Sequence, residues 1–448
     1  MALVRLMSMR FHLSILTFSL LLIPGLSGAT LAQQASTETK EIQPTDWTKL
    51  ETSFKEKKSL FAQVRDGTAD AKENAETIDV GAKFYSYRVT WPTSQSIQPA
   101  GGAMDTVYRD FEKDITLATK AKSEVFLQML GEKMAKYSKD VIDNNSKVIA
   151  RVNAIRLVAR LAEAGIDETA DLLIDEANKN DQFEAVKYYA LKGLRGLIAA
   201  ASQPKSTVFT SPKGKEREAK AIQALVAMVE RKPPIPEALT LEEMNGFRKV
   251  RLQAIEALAV YRKPALVDEK GAIKLPVALS LLEVLKKEGM TPEPRIEEQV
   301  AAAVGLARMR AKGMPAYQAD YAASQFAPFV VEFASRYQDK GNGGRDAKEP
   351  WKYYAARLIE AYDEFRTENT VSKDLIAVID QCLAVLNGIE ENQQVNPGEL
   401  KQWLGEHPPK TATSLFKGLP DVKAKDAAAD GKTDDKAKAA KPPEAEKK

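Results

Sequence analysis

The sequence contains few of the residue types on which many enzymatic and metal sites depend. Its 448 residues include one cysteine, Cys382, and two histidines, His12 and His407. A single cysteine excludes a disulfide within the chain, and so few thiol and imidazole groups exclude a zinc site of His and Cys ligands. A catalytic triad would depend on His407, which precedes two prolines in a terminal loop. The sequence therefore predicts no metal, no cofactor and no enzymatic activity.

Neither sign of charge dominates the composition. The chain has 65 basic and 62 acidic residues and a formal net charge of +3. Arg5 and Arg10 lie in a segment that we expect to be removed, and 65 less these two leaves 63 basic against 62 acidic residues. Proteins that bind nucleic acids normally carry a basic excess gathered on one face. We therefore expect no nucleic-acid partner.

Long apolar runs are missing except at the N-terminus, where residues 1–32 have the three parts of a secretory signal. Two arginines precede an apolar run at 11–23, and cleavage after Ala29 or after Ala32 would satisfy the small-residue rule. An uncleaved membrane anchor is the alternative, but spanning a bilayer normally takes about 20 apolar residues. We predict an exported protein, periplasmic or extracellular, that keeps neither His12 nor an integral membrane segment after cleavage.

A short pattern recurs in the body of the chain, and its apolar spacing is that of a helix. Each copy has an apolar residue, then a basic residue, then an alanine three positions later. The four clear copies are residues 150–158, 186–194, 250–258 and 351–359, and a weaker one spans 300–309. The alanines are Ala154, Ala190, Ala254 and Ala355. Because a small side chain lets a neighbouring helix approach closely, we expect helices to cross at these alanines.

A second regularity precedes each clear copy. An Asp or Asn stands six residues before each base, in the pairs Asn145 and Arg151, Asp181 and Lys187, Asn245 and Arg251, and Asp346 and Lys352. An Asp or Asn at such a place can cap the following helix. The combination of turn Asp or Asn, base and alanine resembles the HEAT repeat, an armadillo-type helical repeat. The resemblance implies an all-α, right-handed α-α superhelix in which these residues form a polar ladder between repeats.

The two ends of the chain differ from its repetitive middle. The predicted order is a signal peptide at 1–32, an N-terminal cap at 33–118, HEAT-like repeats at 119–390, a C-terminal capping segment at 391–418 and a disordered tail at 419–448. The tail is predicted to be disordered because it has almost no apolar residue to bury. Within the N-terminal cap, an amphipathic helix is predicted at 47–64.

An aromatic segment follows that helix in the N-terminal cap. Tyr85, Tyr87 and Trp91 alternate with polar residues over 84–92, which is typical of an extended, half-buried segment. Two interpretations remain open at this point. The rings form either a platform that stacks on sugars or, as aromatic stripes more often do, part of the packed interior.

The sequence favours binding over catalysis. We expect a non-enzymatic scaffold that binds a protein or peptide in the cell envelope, with contact residues such as Arg156, Lys192 and Glu256 on the second helices of the repeats. The alternative is a cell-wall polysaccharide-binding module or a carboxylate-dependent hydrolase. The chain has enough acidic residues for acid–base chemistry. However, the adjacent glutamates at 242–243 and 297–298 fall near predicted helix starts, where the helix dipole stabilises acidic side chains.

Overall fold

In the computed structural model of the chain, the described residues are 44–91, 103–233, 235–339, 349–369 and 371–419. All of them fall within one contact-defined unit, Lys40–Lys448. The predicted signal peptide at 1–32 lies outside the described residues, and so does the predicted tail at 419–448 apart from Leu419.

Helices account for most of the described chain, which confirms the all-α prediction. In chain order they are α1 (Pro44–Arg65), α2 (Ala75–Arg88), α3 (Ala103–Ala121), α4 (Glu124–Asn144), α5 (Val148–Glu163), α6 (Ala170–Asn178), α7 (Glu184–Ala201), α8 (Pro212–Glu230), α9 (Leu241–Tyr261), α10 (Val277–Lys286), α11 (Ile296–Ala307), α12 (Ala319–Ser324), α13 (Phe326–Gln338), α14 (Trp351–Glu368), α15 (Lys373–Glu390) and α16 (Pro397–Glu406). Strands β1 (Leu266–Val267) and β2 (Ile273–Leu275) form a short antiparallel hairpin. None of the helices in the described ranges is long and apolar enough to cross a lipid bilayer.

Local sequence signals set several of the helix ends. Ser211 accepts a hydrogen bond from the backbone N–H of Gly214, and Pro212 occupies the first helical position of α8. Thr240 and Glu243 form a reciprocal capping box at the start of α9. Gly165 follows α5 with a φ of 85°, a conformation that glycine adopts without strain.

The helices pack in two rows that follow chain order. One row is formed by α5 on α7, α7 on α9, α9 on α11 and α11 on α14. Helices α4, α6, α8 and α10 each pack against the next helix along the chain, and α6, α8 and α10 also contact one another in sequence. Each helix thus buries one stripe against its pair and another against its neighbour in the row.

The four alanines of the repeated pattern lie inside this packing. Ala154, Ala190, Ala254 and Ala355 are all fully buried. A close approach between α5 and α7 occurs at Gly196, a residue that the pattern does not include. A Cβ atom added at Gly196 would lie 2.8 Å from the Cα atom of Glu163. Glycine is therefore required there for α7 to reach α5.

We expect Gly196→Ala to lower the free energy of unfolding by about 1–3 kcal/mol, because the new methyl group overlaps the backbone of α5. Gly246 provides a matched control, since an added Cβ atom would find its nearest neighbour, Glu184 Cβ, at 3.9 Å. Gly246→Ala should stabilise the protein by up to about 1 kcal/mol through helix propensity alone. Urea unfolding measures both effects. Equal stability of the two variants would contradict the described contact between α5 and α7.

The N-terminal cap differs from its prediction in one element. The helix predicted at 47–64 is confirmed as α1, but the extended segment predicted at 84–92 is wrong, because α2 continues to Arg88. The residues that α2 and the turn after it bury recur at helical spacing: Ile78, Ala82, Tyr85 and Val89 are each at most 3% exposed. The alternation within the aromatic segment was too short to distinguish a period of two from this helical stripe.

The C-terminal capping segment packs on the last helices through short contacts. Helix α16 lies within the predicted capping segment; it buries Leu400, while Trp403 is half-buried and stacks on His407. Further along, the backbone N–H of Gln318 donates to the carbonyl of Leu415, and that of Lys417 donates to the carbonyl of Ala316. The chain therefore returns to the loop that precedes α12.

Cys382 lies in α15 with no exposed surface. Burial raises the pKa of its thiol, which keeps the reactive thiolate scarce. We expect no reaction of the native protein with a thiol reagent such as Ellman's reagent, and one thiol per chain after denaturation. Rapid labelling of the native protein would contradict the packing of α15.

Candidate binding groove

Three bases of the repeated pattern, Arg151, Lys187 and Arg251, each contact an acceptor other than the predicted side chain. Arg151 Nε donates to the backbone carbonyl of Asn145 at 2.5 Å. The side chain of Asn145 accepts instead from the backbone N–H of Lys147 at 2.9 Å. The structure brings the first predicted pair together, but the contact stays within one helix pair.

In the second predicted pair, the base again binds a backbone carbonyl rather than the predicted side chain. Lys187 is 1% exposed, and its ammonium group donates to the backbone carbonyl of Asn180 at 3.4 Å, whereas Asp181 is exposed. Burial, with a smaller contribution from the nearby Arg231, lowers the pKa of Lys187. Lys187 is therefore a buried structural cation and does not present a charge to a ligand.

The prediction that Asn245 caps the helix of the third copy is wrong. Helix α9 begins four residues earlier, at Leu241, because Thr240 and Glu243 provide a stronger capping box. Asn245 lies in the second turn of α9, where its side-chain oxygen accepts from Arg295 Nη2 at 2.7 Å. The sequence did contain the correct signal, a Thr followed three residues later by Glu.

Arg251, the base of the third copy, pairs with a residue that the sequence analysis assigned to a helix start. Its Nε donates to Glu298 Oε1 at 2.6 Å, and its Nη1 donates to the carbonyl of Pro292 at 2.8 Å. The side chains are 1% and 0% exposed. Glu298 also accepts the backbone N–H of Arg295 through Oε2 at 2.9 Å. This buried ion pair joins α9 to the start of α11.

The fourth predicted pair is only partly described. Asp346 lies outside the described residues, and Lys352 is exposed in the first turn of α14. For the three copies that can be followed, the bases bind backbone carbonyls or Glu298. The side chains predicted to form the ladder are not their partners.

Ion pairs do connect neighbouring helices, but they use other residues. Glu256 on α9 accepts from Arg195 on α7 at 2.5 Å and from Gln253 at 3.1 Å, and Arg357 on α14 lies 4.0 Å from it. Glu163 on α5 similarly pairs with Lys192 on α7 at 3.6 Å. These pairs involve two of the predicted contact positions, Glu256 and Lys192, so that both are engaged within the fold.

Arg156, the third predicted contact position, is also engaged within the fold, and so are the charged residues at the end of the row. The guanidinium of Arg156 lies over the ring of Tyr108, 4.0 Å from its centroid. Arg262, just after α9, pairs with Glu364 on α14 at 2.5 Å, and Arg308 also reaches Glu364 at 3.3 Å. Charged side chains on the exposed face of this row therefore pair with one another across neighbouring helices.

The aromatic residues that suggested a sugar platform lie largely inside the protein. Tyr85 is 3% exposed and donates to Asp114 at 2.5 Å, and burial raises the pKa of its hydroxyl. Trp91 is 8% exposed, with the guanidinium of Arg88 3.6 Å from its ring centroid. Tyr87 is half-buried and donates to Asp140 at 2.9 Å. Stacking on a sugar needs an exposed ring face, which Tyr85 and Trp91 do not offer.

A concave surface lies where α7, α9 and α11 end. This groove has a volume of about 680 Å³. Its lining comes from three separate parts of the chain, namely residues 199–203, 260–267 and 310–314. Because α7, α9 and α11 are consecutive in one row, their C-terminal ends and the loops that follow come together although they are more than a hundred residues apart.

The groove combines an apolar floor with a basic rim. The apolar lining residues are Ala199, Val260, Tyr261, Pro264, Ala265, Val267 and Met314. The charged lining residues are Arg262, Lys263, Arg310 and Lys312, and none of the described residues that line the groove is acidic. Such a surface can hold an extended segment that offers apolar side chains to the floor and carboxylates to the rim.

The groove is framed by backbone features that fix its two basic edges. Arg262 ends α9 in the left-handed conformation, with a φ of 61°. Its carbonyl accepts the backbone N–H of Arg310 at 3.0 Å, which ties the two edges together. Lys263 lies over the ring of Tyr261, 5.0 Å from its centroid, and burial raises the pKa of that tyrosine. The tyrosine therefore stays neutral.

His407, the one histidine considered for chemistry, lies at the end of α16. His407 stacks on Trp403, with 4.8 Å between the ring centroids, and its Nδ1 lies 3.1 Å from the Trp403 carbonyl. Among the described residues, no group of three or more His, Cys, Asp or Glu side chains is arranged to hold a metal ion. No family model, curated protein or solved structure matches the chain.

Proposed function

We propose that this chain is an exported, non-enzymatic helical-repeat scaffold that binds a protein or peptide segment in the cell envelope. In this proposal the paired helices form a HEAT-like, right-handed solenoid. The chain-order packing of α5, α7, α9, α11 and α14 supports it. Stacked repeats create extended binding surfaces because each repeat contacts only its neighbours.

The groove at the ends of α7, α9 and α11 is the observation that carries the proposal. It is large enough for several side chains of a bound segment, and it offers both apolar and charged contacts. The polysaccharide alternative loses its motivation, because Tyr85 and Trp91 are buried.

Export is tested by the N-terminus of the mature protein. If the signal is cleaved as proposed, the protein recovered from the envelope begins at Thr30 or Gln33. N-terminal sequencing or intact mass determines which of the two residues comes first. Recovery of the protein in the cytoplasm with its N-terminal segment intact would overturn this part of the proposal.

Binding is tested by photocrosslinking in intact cells. A photoreactive amino acid at position 312, on the rim of the groove, should give a discrete protein adduct. The same amino acid at position 401, an exposed site on α16, should not. Absence of an adduct at position 312, or the same adduct at both positions, would contradict a scaffold that binds through the groove.

A further inference from the structure

We propose that the groove recognises an acidic peptide segment, in which carboxylates bind the basic rim and intervening apolar side chains enter the floor. This inference rests on the proposed scaffold function and names the chemistry of its partner. The chain as a whole has nearly equal numbers of basic and acidic residues, so charge composition alone gives no hint of such a preference. The preference arises from where the fold places the charges.

The rim concentrates positive charge from distant parts of the sequence. Arg262 and Lys263 follow α9, and Arg310 and Lys312 follow α11. The four side chains line one groove that contains no carboxylate among its described lining residues. A concave surface with one sign of charge attracts ligands of the opposite sign.

Three of the four rim cations pair with carboxylates of the same chain. Arg262 pairs with Glu364 at 2.5 Å, with side chains 33% and 23% exposed, whereas the other two pairs are more exposed. Arg310 Nε lies 3.6 Å from Glu368, and each side chain is 47% exposed. Lys263 pairs with Glu218 at 2.7 Å, with the lysine 59% exposed. Exposed ion pairs of this kind contribute little to stability. A carboxylate of a partner can therefore replace or join the acids of the two more exposed pairs at small cost.

The helix ends favour a peptide over a simple anion. The C-terminal ends of α7, α9 and α11 carry partial negative charge and carbonyl groups that lack intrahelical donors. A phosphate ion or polyphosphate could bind the rim cations, but the partial negative charge of the helix ends would repel it. A peptide offers backbone N–H donors to the carbonyls together with its acidic side chains for the rim.

The apolar floor of the groove favours a ligand that also carries apolar side chains. Val267 is 45% exposed at the edge of the hairpin, and it lines the groove together with Met314 and Pro264. Apolar side chains of a bound segment would cover this surface, and that burial provides affinity that does not depend on salt. Acidic residues interspersed with apolar ones fit both the rim and the floor.

Fluorescence anisotropy of labelled peptides with the full mature chain tests the inference. One short peptide alternates Glu with Leu, and its matched control alternates Lys with Leu. We expect binding of the acidic peptide only, with weaker binding when NaCl is raised from about 0.15 M to about 1 M, which shortens the Debye length from about 8 Å to about 3 Å. Equal binding of both peptides, no binding of the acidic one, or displacement of it by inorganic polyphosphate would overturn the inference.

Substitutions on the rim locate the binding site. The double variant Arg310→Gln with Lys312→Glu should weaken binding of the acidic peptide by about tenfold, since it removes one charge and reverses another. Lys401→Glu makes the same charge reversal as Lys312→Glu, but at an exposed site on α16, and should leave the affinity unchanged. All of these positions are exposed, and unchanged circular dichroism and Tm values would show that the variants fold. Unchanged affinity in the double variant would overturn the inference.

The crosslinking experiment keeps this inference separate from the scaffold proposal. If position 312 gives a protein adduct but the acidic peptide does not bind, the scaffold proposal stands and the acidic preference fails. If the acidic peptide binds but no adduct forms at position 312 in cells, the groove has the inferred chemistry, whereas the proposed function fails.

Discussion

Replacing Glu298 with Gln is expected to lower the free energy of unfolding by about 3–5 kcal/mol, because it leaves the buried guanidinium of Arg251 without its counter-charge. Both side chains are almost fully buried, and Arg251 Nε lies 2.6 Å from Glu298 Oε1. Gln has nearly the same shape as Glu, so the substitution removes the charge with little change in packing. Urea or thermal unfolding measures the loss.

Two further variants show whether the effect belongs to this ion pair. Asn245→Ala removes the partner that the sequence analysis assigned to Arg251, and it should cost less than about 1 kcal/mol, since only a hydrogen bond to Arg295 is lost. Arg251→Met with Glu298→Met removes both charges and should recover most of the stability. A large effect of Asn245→Ala together with a small effect of Glu298→Gln would favour the predicted ladder over the observed pair.

Replacing Phe326 with Ala is expected to cost about 3–5 kcal/mol, because the ring is fully buried between α13 and α14. Its centroid lies 4.5 Å from that of Tyr362 in a stacked arrangement and 5.2 Å from that of Phe365. These contacts connect α14 to the helices that precede residues 340–348. Thermal or urea unfolding of the full chain measures the effect.

Two aromatic residues of α14, Tyr353 and Tyr362, give matched controls for Phe326, which lies on α13. Tyr353 is 58% exposed, and Tyr353→Ala should cost no more than about 1 kcal/mol. The hydroxyl of Tyr362 is buried with no hydrogen-bond partner in the described part of the chain, so Tyr362→Phe should cost nothing or stabilise slightly. If Phe326→Ala were as mild as Tyr353→Ala, α13 would not pack on α14 as described.

The features that could be predicted from sequence are the local ones. Apolar spacing within a single helix is enough to predict the all-α class and the position of α1. It also predicts that Ala254, the matching alanines of the other copies and Cys382 are buried. The error at Tyr85 and Tyr87 has the same origin. A segment of eight or nine residues can match both a period of two and a helical stripe, and contacts with α4 decide between them.

Contacts between distant residues could not be predicted. The partner of Arg251 lies 47 residues further along the chain, whereas the sequence pattern offered a closer candidate in Asn245. The groove was even less predictable from the sequence. Lys263 and Lys312 are ordinary isolated lysines in the sequence, and only the packing of α7, α9 and α11 places them on one rim.

Hydrogen exchange of the full chain, alone and with the protein captured from position 312, tests most directly whether the partner binds in the groove. We predict protection on binding in segments 199–203, 260–267 and 310–314, because bound backbone in the groove slows exchange there. Protection confined to the aromatic segment at 84–91, or no protection in the three groove segments, would contradict a scaffold that binds its partner through this groove.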